Sequence, residues 1–252
     1  MATGLLVRVG IDSTSGGWNA PCCEKSFCFC YVPIGEDAVL TEYYDPAYQP
    51  YEQVVRAFVP EDAPRCVHWP RRLPQRGHFD PDFRHLTYGD VGQKAGRIWN
   101  VFNGQEGDSK FIVFYAGLRS IQKGKLCYSI IGFYTVKCIL RGPDVQRADW
   151  HRNAHVRNGG CNDVRTVVVF ADKSKSGRLC KYIRIGSWRN GAYRVDKNLL
   201  KEWGGLDVRD GYIQRSAFLP RFCDGDRFLR WFYRQRPELI SEDNPRQCLK
   251  IR

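Results

Sequence analysis

The chain has no apolar run approaching the roughly 18–20 residues that a membrane-spanning helix needs. Its opening, MATGLLVRVG, lacks the apolar core and cleavage site of a secretory leader. A cytoplasmic protein with no membrane partner is therefore expected. No internal repeat and no low-complexity linker interrupts the sequence. Residues 1–252 thus read as a single domain, a length that β-containing domains reach on their own. Matched metal-ligand spacings are missing as well. Cys22, Cys23, Cys28 and Cys30 crowd into nine residues, but they do not form the two Cys-x(2–4)-Cys pairs usual for zinc. His151 and His155 stand four apart without the glutamate of an HExxH helix. The cysteine total of 11 is odd in a chain far above disulfide-scaffold size, so these thiols are expected to be mostly reduced and buried. The expectation is no metal, no cofactor and no obligate protein partner.

What is abundant is the material of a core. Aromatic residues make up 13% of the chain, enough to make long disordered stretches implausible. The runs LLVRVGI, FCFCYVPI (27–34), FIVFYAGL (111–118), YSIIGFYTVKCIL (128–140), TVVVFA (166–171) and KYIRIGSW (181–188) are rich in β-branched and aromatic residues. Gly, Pro, Asp or Lys clusters bound most of them, as expected of strands. Gly132, inside one run, predicts a bulge or bend. Helices are fewer. YEQVVRAF (51–58) follows Pro50, DKNLLKEWGG offers Asp196 as cap and Gly204 as stop, and DGDRFLRWFYRQRP predicts an amphipathic helix starting near Asp224 or Asp226. GQKAGRIWNVFNG (92–104) is a fourth candidate, weakened by Gly96. This pattern predicts an α+β fold: a mixed, mostly antiparallel sheet or small barrel with flanking helices, with a glycosylase-like α/β sheet as the alternative.

Charge is distributed unevenly. Residues 1–126 carry 14 Lys+Arg against 14 Asp+Glu, and residues 127–252 carry 25 against 13. A basic excess confined to one half points to a polyanion, since each phosphate neutralised by Lys or Arg releases counterions. Arg152, Arg157, Lys173, Lys175, Arg178 and Lys181 are the candidate phosphate contacts, although the lysines equally suit a solvated hairpin tip.

Two stretches are dense in chemistry. VGIDSTSGGWNAP ends a strand in Asp12 and follows it with Ser13, Thr14, Ser15, Gly16, Gly17, Trp18 and Asn19, which makes either a hydroxyl-rich turn or an anion-binding strand end. GHFDPDFRHLTYGD sets Asp80 and Asp82 around Pro81, with His78, Arg84 and His85 nearby. Asp-Pro-Asp is a sound turn whose acids cap backbone N–H groups, and it is also a place for a carboxylate poised beside histidine.

Taken in order, these stretches resemble the third nucleotide-modification-associated domain family. GIDSTSGGWNAP is similar to its GFDSS-GG-PSP opening, HFDPDFR to HLDPDLR, YGDVGQKAG more distantly to its FGQ segment and EGDSKFIVFYAGLR to GDLFLFFGWFR. YSIIGFYTV is similar to its GYL strand and HRNAHV to its short histidine element. Ala20 stands where the family has serine between prolines, and Cys22 to Cys30 are atypical. The resemblance implies action on double-stranded DNA carrying hypermodified cytosines. The activity it implies is an antiphage glycosylase that flips glucosylated 5-hydroxymethylcytosine from the helix and hydrolyses its N-glycosidic bond, leaving an abasic site.

On that reading a carboxylate under the sugar stabilises the developing positive charge. Asp12 is the first choice, with Asp80 or Asp82 as the alternative. Asn19 would orient the base or the water, and Ser13 to Gly17 would hold a phosphate. Trp18, His78, Phe79, Tyr88, Trp99 and Tyr115 would wall the pocket. Lysine is not placed beside these acids, which favours a monofunctional enzyme over a Schiff-base lyase. The rival is a non-enzymatic reader of modified bases.

Overall fold

The structure is a computed structural model that describes residues 1–12, 18–36, 51–58, 77–104, 109–214 and 218–246. Its elements in chain order are β1 (Thr3–Arg8), β2 (Pro21–Cys22), β3 (Ile34–Gly35), α1 (Tyr51–Phe58), β4 (Gly77–His78), β5 (Thr87–Val91), α2 (Gln93–Phe102), β6 (Lys110–Ser120) and β7 (Leu126–Arg141). They continue with α3 (Ala154–Arg157), β8 (Thr166–Ala171), β9 (Gly177–Arg189), β10 (Ala192–Val195), α4 (Lys197–Trp203), α5 (Gly225–Arg234) and β11 (Leu239–Ile240).

Among the described residues nine strands form one mixed sheet whose main path runs β1-β6-β7-β8-β5, with β2 beside β6, β9 beside β7, and β10 and β11 beside β9, while β3 and β4 make a separate two-stranded ribbon. Strands β1 and β2 run parallel to β6 along one edge, and the remaining pairings of the sheet are antiparallel. The long β7 is the pivot. Its first half pairs with β9, and its second half pairs with β8. Register shifts at Ile130/Gly132 and Val136/Cys138 accompany this change of partner, as Gly132 predicted. A Cβ at Gly132 would lie 2.3 Å from the Phe83 ring, so the bend also admits the turn that carries Asp80 and Asp82. The mostly antiparallel α+β expectation holds, and among the described residues the sheet does not close into a barrel.

Strand β6 is buried along nearly its whole length, flanked by β1 and β7 and packed through Phe111 against Phe228 of α5. Phe111 stacks on Phe228 and Phe133, while Phe133 stacks on Phe232. Burying each such side chain contributes about 1.5–3 kcal/mol. The helix caps appear where the sequence put them. Asp196 accepts from the Asn198 N–H, Gly204 ends α4 in the left-handed region, and Asp224 caps α5 at Arg227.

One predicted strand is absent. Residues 27–34 are not a strand over that span; they contribute an isolated bridge from Phe29 to Cys22 and Ile34 at the start of β3. Phe27 adopts φ 59°, which breaks the run. The buried backbone beyond it finds partners singly: Tyr31 exchanges two hydrogen bonds with the Asn244 side chain, and Val32 C=O accepts from Ile11 N–H. Apolar content reported burial here rather than pairing. Among the described residues, six of the eight free cysteines are buried, whereas Cys180 is disulfide-bonded. Among the described residues no helix is long and apolar enough to cross a membrane.

Candidate functional site

The first strand sets one wall of the site. At its end Gly10 turns at φ 78°, with Val32 C=O close enough (3.2 Å) to crowd a Cβ. This turn delivers Asp12 into a cavity of roughly 220 Å³. Asp12 forms a buried ion pair with Arg8, 2.7 Å away, and Arg8 also lines the cavity. Strand β5 supplies Tyr88 and Asp90, whose side chains are hydrogen-bonded at 2.8 Å. Lys94, on the first turn of α2, reaches Asp90 at 3.7 Å.

The opposite wall joins three segments distant in sequence. The β3–β4 ribbon pairs Ile34 with His78 and so holds His78 next to Glu36. The turn after β4 carries Asp80, and α3 carries His155. Asp80 accepts a hydrogen bond from Gly89 N–H at 2.6 Å and lies 3.3 Å from His155 Nε2. His155 Nε2 in turn lies 3.2 Å from His78 Nε2. Asn153 organises the junction. Its side-chain oxygen caps α3 by accepting from His155 and Val156 N–H, while its amide points toward Asp80 and Thr87. Gly89 makes the close approach possible, since a Cβ there would meet Asn153 Oδ1 at 2.7 Å and His155 Cδ2 at 2.9 Å.

Electrostatics follow the same grouping. Burial pushes the Asp80 carboxyl above the usual carboxylate range, and His155 and the Gly89 N–H pull part of that back. For His155, burial opposes protonation, but the hydrogen bond and charge of Asp80 outweigh it and raise its pKa. Glu36 resists ionisation through burial, yet His78 and Arg157 together hold its carboxyl below the ordinary value. Burial and the neighbouring Asp90 raise the Tyr88 phenol well above its usual value, so it remains a hydrogen-bond donor. His78, Asp80 and His155 are the one group of side chains among the described residues whose ligand atoms lie within reach of a single ion. The crowded cysteines of residues 22–30 form no such group.

Of the residues singled out from sequence, Asp12, His78, Asp80 and Tyr88 converge on this cavity. Others do not. Asp82 is fully buried and turned away, accepting from His85 N–H and facing His85 Nδ1. Asn19 is buried and donates to Gly117 C=O. Tyr115 donates to Ile213 C=O within the core, and Phe79 packs on Tyr31. Trp18 is buried, and its Nε1 meets no hydrogen-bond partner among the described residues. Trp99, on α2, receives Arg141 over its ring. The stretch Ser13, Thr14, Ser15, Gly16 and Gly17 lies outside the described residues.

The basic candidates divide sharply. Lys173, Lys175 and Lys181 are exposed, and the half-buried Arg152 binds Asp149 and His85 C=O. Arg157 and Arg178 are buried, which corrects their reading as phosphate contacts. Arg157 is drawn in by Glu36 at 3.4 Å. Arg178 stacks on Phe29 and donates to two backbone carbonyls, and burial lowers its pKa to about 10.

The sequence reading did not assign site roles to Arg8, Glu36, Asp90, Lys94, Asn153 and His155. His155 had a local signal, in its spacing from His151 and in the short histidine element HRNAHV, and Asn153 is of a residue type that caps helices.

A family model described as nucleotide modification associated domain 3 matches residues 3–201, which include every residue of this cavity. No curated protein and no solved structure matches the chain.

Proposed function

The chain belongs to the nucleotide modification associated domain 3 family, and from that premise we propose that it is a DNA N-glycosylase acting on hypermodified cytosines. The observation that supports this most is the meeting of two carboxylates, Asp12 and Asp80, at one cavity with His155 beside the second. Hydrolysis of an N-glycosidic bond builds positive charge on the sugar and needs a water directed at the anomeric carbon. Asp12, fixed by Arg8, is the carboxylate that faces the charged sugar. Asp80 and His155 hold the water and take its proton as the bond to the base breaks.

The cavity is smaller than the roughly 300–1,000 Å³ that engulfs a drug-sized ligand. It therefore admits a base or a sugar, and the hexose of a glucosylated base would lie at its mouth. Base flipping supplies such a fragment from duplex DNA at a cost of a few kcal/mol. Tyr88, protonated and hydrogen-bonded to Asp90, offers a planar wall at that depth. Exposed Lys173, Lys175 and Lys181 are the proposed phosphate contacts, and glucosylated phage DNA is the proposed substrate.

The test is release of free base and appearance of abasic sites when the protein meets DNA containing glucosylated 5-hydroxymethylcytosine, with unmodified DNA alongside. Asp12→Asn and Asp80→Asn should bind that DNA while releasing little base. Wild-type protein that binds the modified DNA without releasing base would be a reader, not an enzyme. Binding should weaken steeply with salt, and each of the three lysines replaced by alanine should reduce that slope by about one.

A further inference from the structure

The His78–Asp80–His155 cluster has more ligand atoms facing one another than hydrogen bonding can satisfy. His155 Nε2 lies 3.2 Å from His78 Nε2 and 3.3 Å from an Asp80 oxygen. That nitrogen carries at most one hydrogen, so it can serve one neighbour as donor but not both. Both separations are also longer than a charge-assisted hydrogen bond of about 2.7–2.9 Å. Two ligands each about 2.0–2.1 Å from a common ion are separated by about 3.0 Å at a right angle and about 3.4 Å at a tetrahedral angle. The observed spacings fall between those values.

We infer that His78, Asp80 and His155 form a binding site for a first-row divalent transition cation, with zinc the leading candidate. Three further observations support this site. The donor set, two imidazole nitrogens and one carboxylate oxygen, is that of catalytic zinc and non-haem iron sites that keep positions open for water or substrate. The open side here is the cavity, which all three residues line. Behind His78 stands a supporting carboxylate: Glu36 Oε1 lies 3.7 Å from His78 Nδ1, and Asn158 Nδ2 donates to the same oxygen at 2.5 Å. At that distance Glu36 acts on the imidazole by charge rather than by a hydrogen bond, and it stands where the outer carboxylates of metal-binding histidines stand.

Binding of the ion does not depend on which bond the protein cuts. Its role does rest on the proposed reaction. There the ion, held by Asp80 and His155 together with His78, would take over from Asp80 and His155 the activation of the hydrolytic water by lowering its pKa, and the proton would leave to solvent through the cavity mouth.

Metal content measured on untagged protein, followed by titration of chelator-treated protein with Zn²⁺, tests the site. About one ion per chain is expected. His78→Ala and His155→Ala should each weaken binding at least 100-fold, and Glu36→Gln roughly 10- to 100-fold. His151→Ala should leave binding unchanged, since His151 packs on His85 outside the cluster. Should the histidine variants fail to fold, the wild-type protein still decides the matter. Co²⁺ should bind it in one equivalent with a visible ligand-field band that Zn²⁺ abolishes.

Wild-type protein that binds neither Zn²⁺, Mn²⁺ nor Fe²⁺ stoichiometrically would overturn the site, as would His155→Ala binding as tightly as wild type. A bound ion with no base release would leave this site standing and remove the glycosylase reading. Base release that persists in metal-free protein would keep the reaction and remove the metal from it.

Discussion

Asp80 and Asp82 are separated by one proline, and each faces a histidine, yet they belong to different worlds. Asp82 is wholly buried, and its carboxylate accepts from the backbone N–H of His85 and meets the ring of the same residue, all within four positions of the chain. Its backbone bridges to Thr87 and accepts the Tyr134 hydroxyl. Asp80 instead reaches across the fold to His155 and looks onto the cavity. The same residue type in the same turn stabilises the fold when its partner is local and makes a site when its partner comes from another element. A local pair forms whenever the turn forms. A distant pair leaves an open side, because two elements meeting edge to edge do not fill the space between them.

This contrast can be broken in three ways. Asp80→Asn should reduce base release by about 10²–10⁴-fold while the fold survives; equal losses from Asp82→Asn, measured per folded molecule, would abolish the distinction. Asp82→Ala should cost about 2–3 kcal/mol of stability, the value of hydrogen bonds to a buried charged group. For a chain of this size that is a fall of roughly 4–12 °C in Tm, readable by calorimetry. Base release by the remaining folded protein should be unchanged. Smallest is His85→Ala, which removes one partner of Asp82 but leaves its backbone hydrogen bond; about 1 kcal/mol in urea denaturation is expected. A larger loss than from Asp82→Ala would show that the histidine, not the acid, holds the turn.

The sequence revealed this turn but not the difference between its two acids. Asp-Pro-Asp was readable as a cap or as a catalytic carboxylate, and each reading describes one of the pair. Capping is local chemistry, which is why Asp196 with Gly204, and Asp224, were legible from spacing alone. Strands β6, β7, β8 and β9 were legible for a related reason: β-branched and aromatic runs bounded by turn residues need no knowledge of their partners. Partnership itself was not legible. His155 stands 75 residues from Asp80, and only the pairing of β5 with β8, together with the Asn153 cap on α3, brings it there.

Arginine misled for the opposite reason. Charge implies exposure on average, but Arg157 opposite Glu36 and Arg178 on Phe29 satisfy the conditions under which a guanidinium can be buried. The basic excess available to a polyanion is therefore smaller than the composition suggests. It includes exposed side chains such as Lys173 and Lys175.

Gly89 makes the two walls of the cavity interdependent. With hydrogen in place of a side chain, strand β5 carries the N–H that anchors Asp80 and leaves the room into which Asn153 and His155 fit. A methyl group at this one position would act as a wedge, moving His155 off its partners without altering any acid, base or ligand. An alanine there would therefore separate the site's geometry from its chemistry.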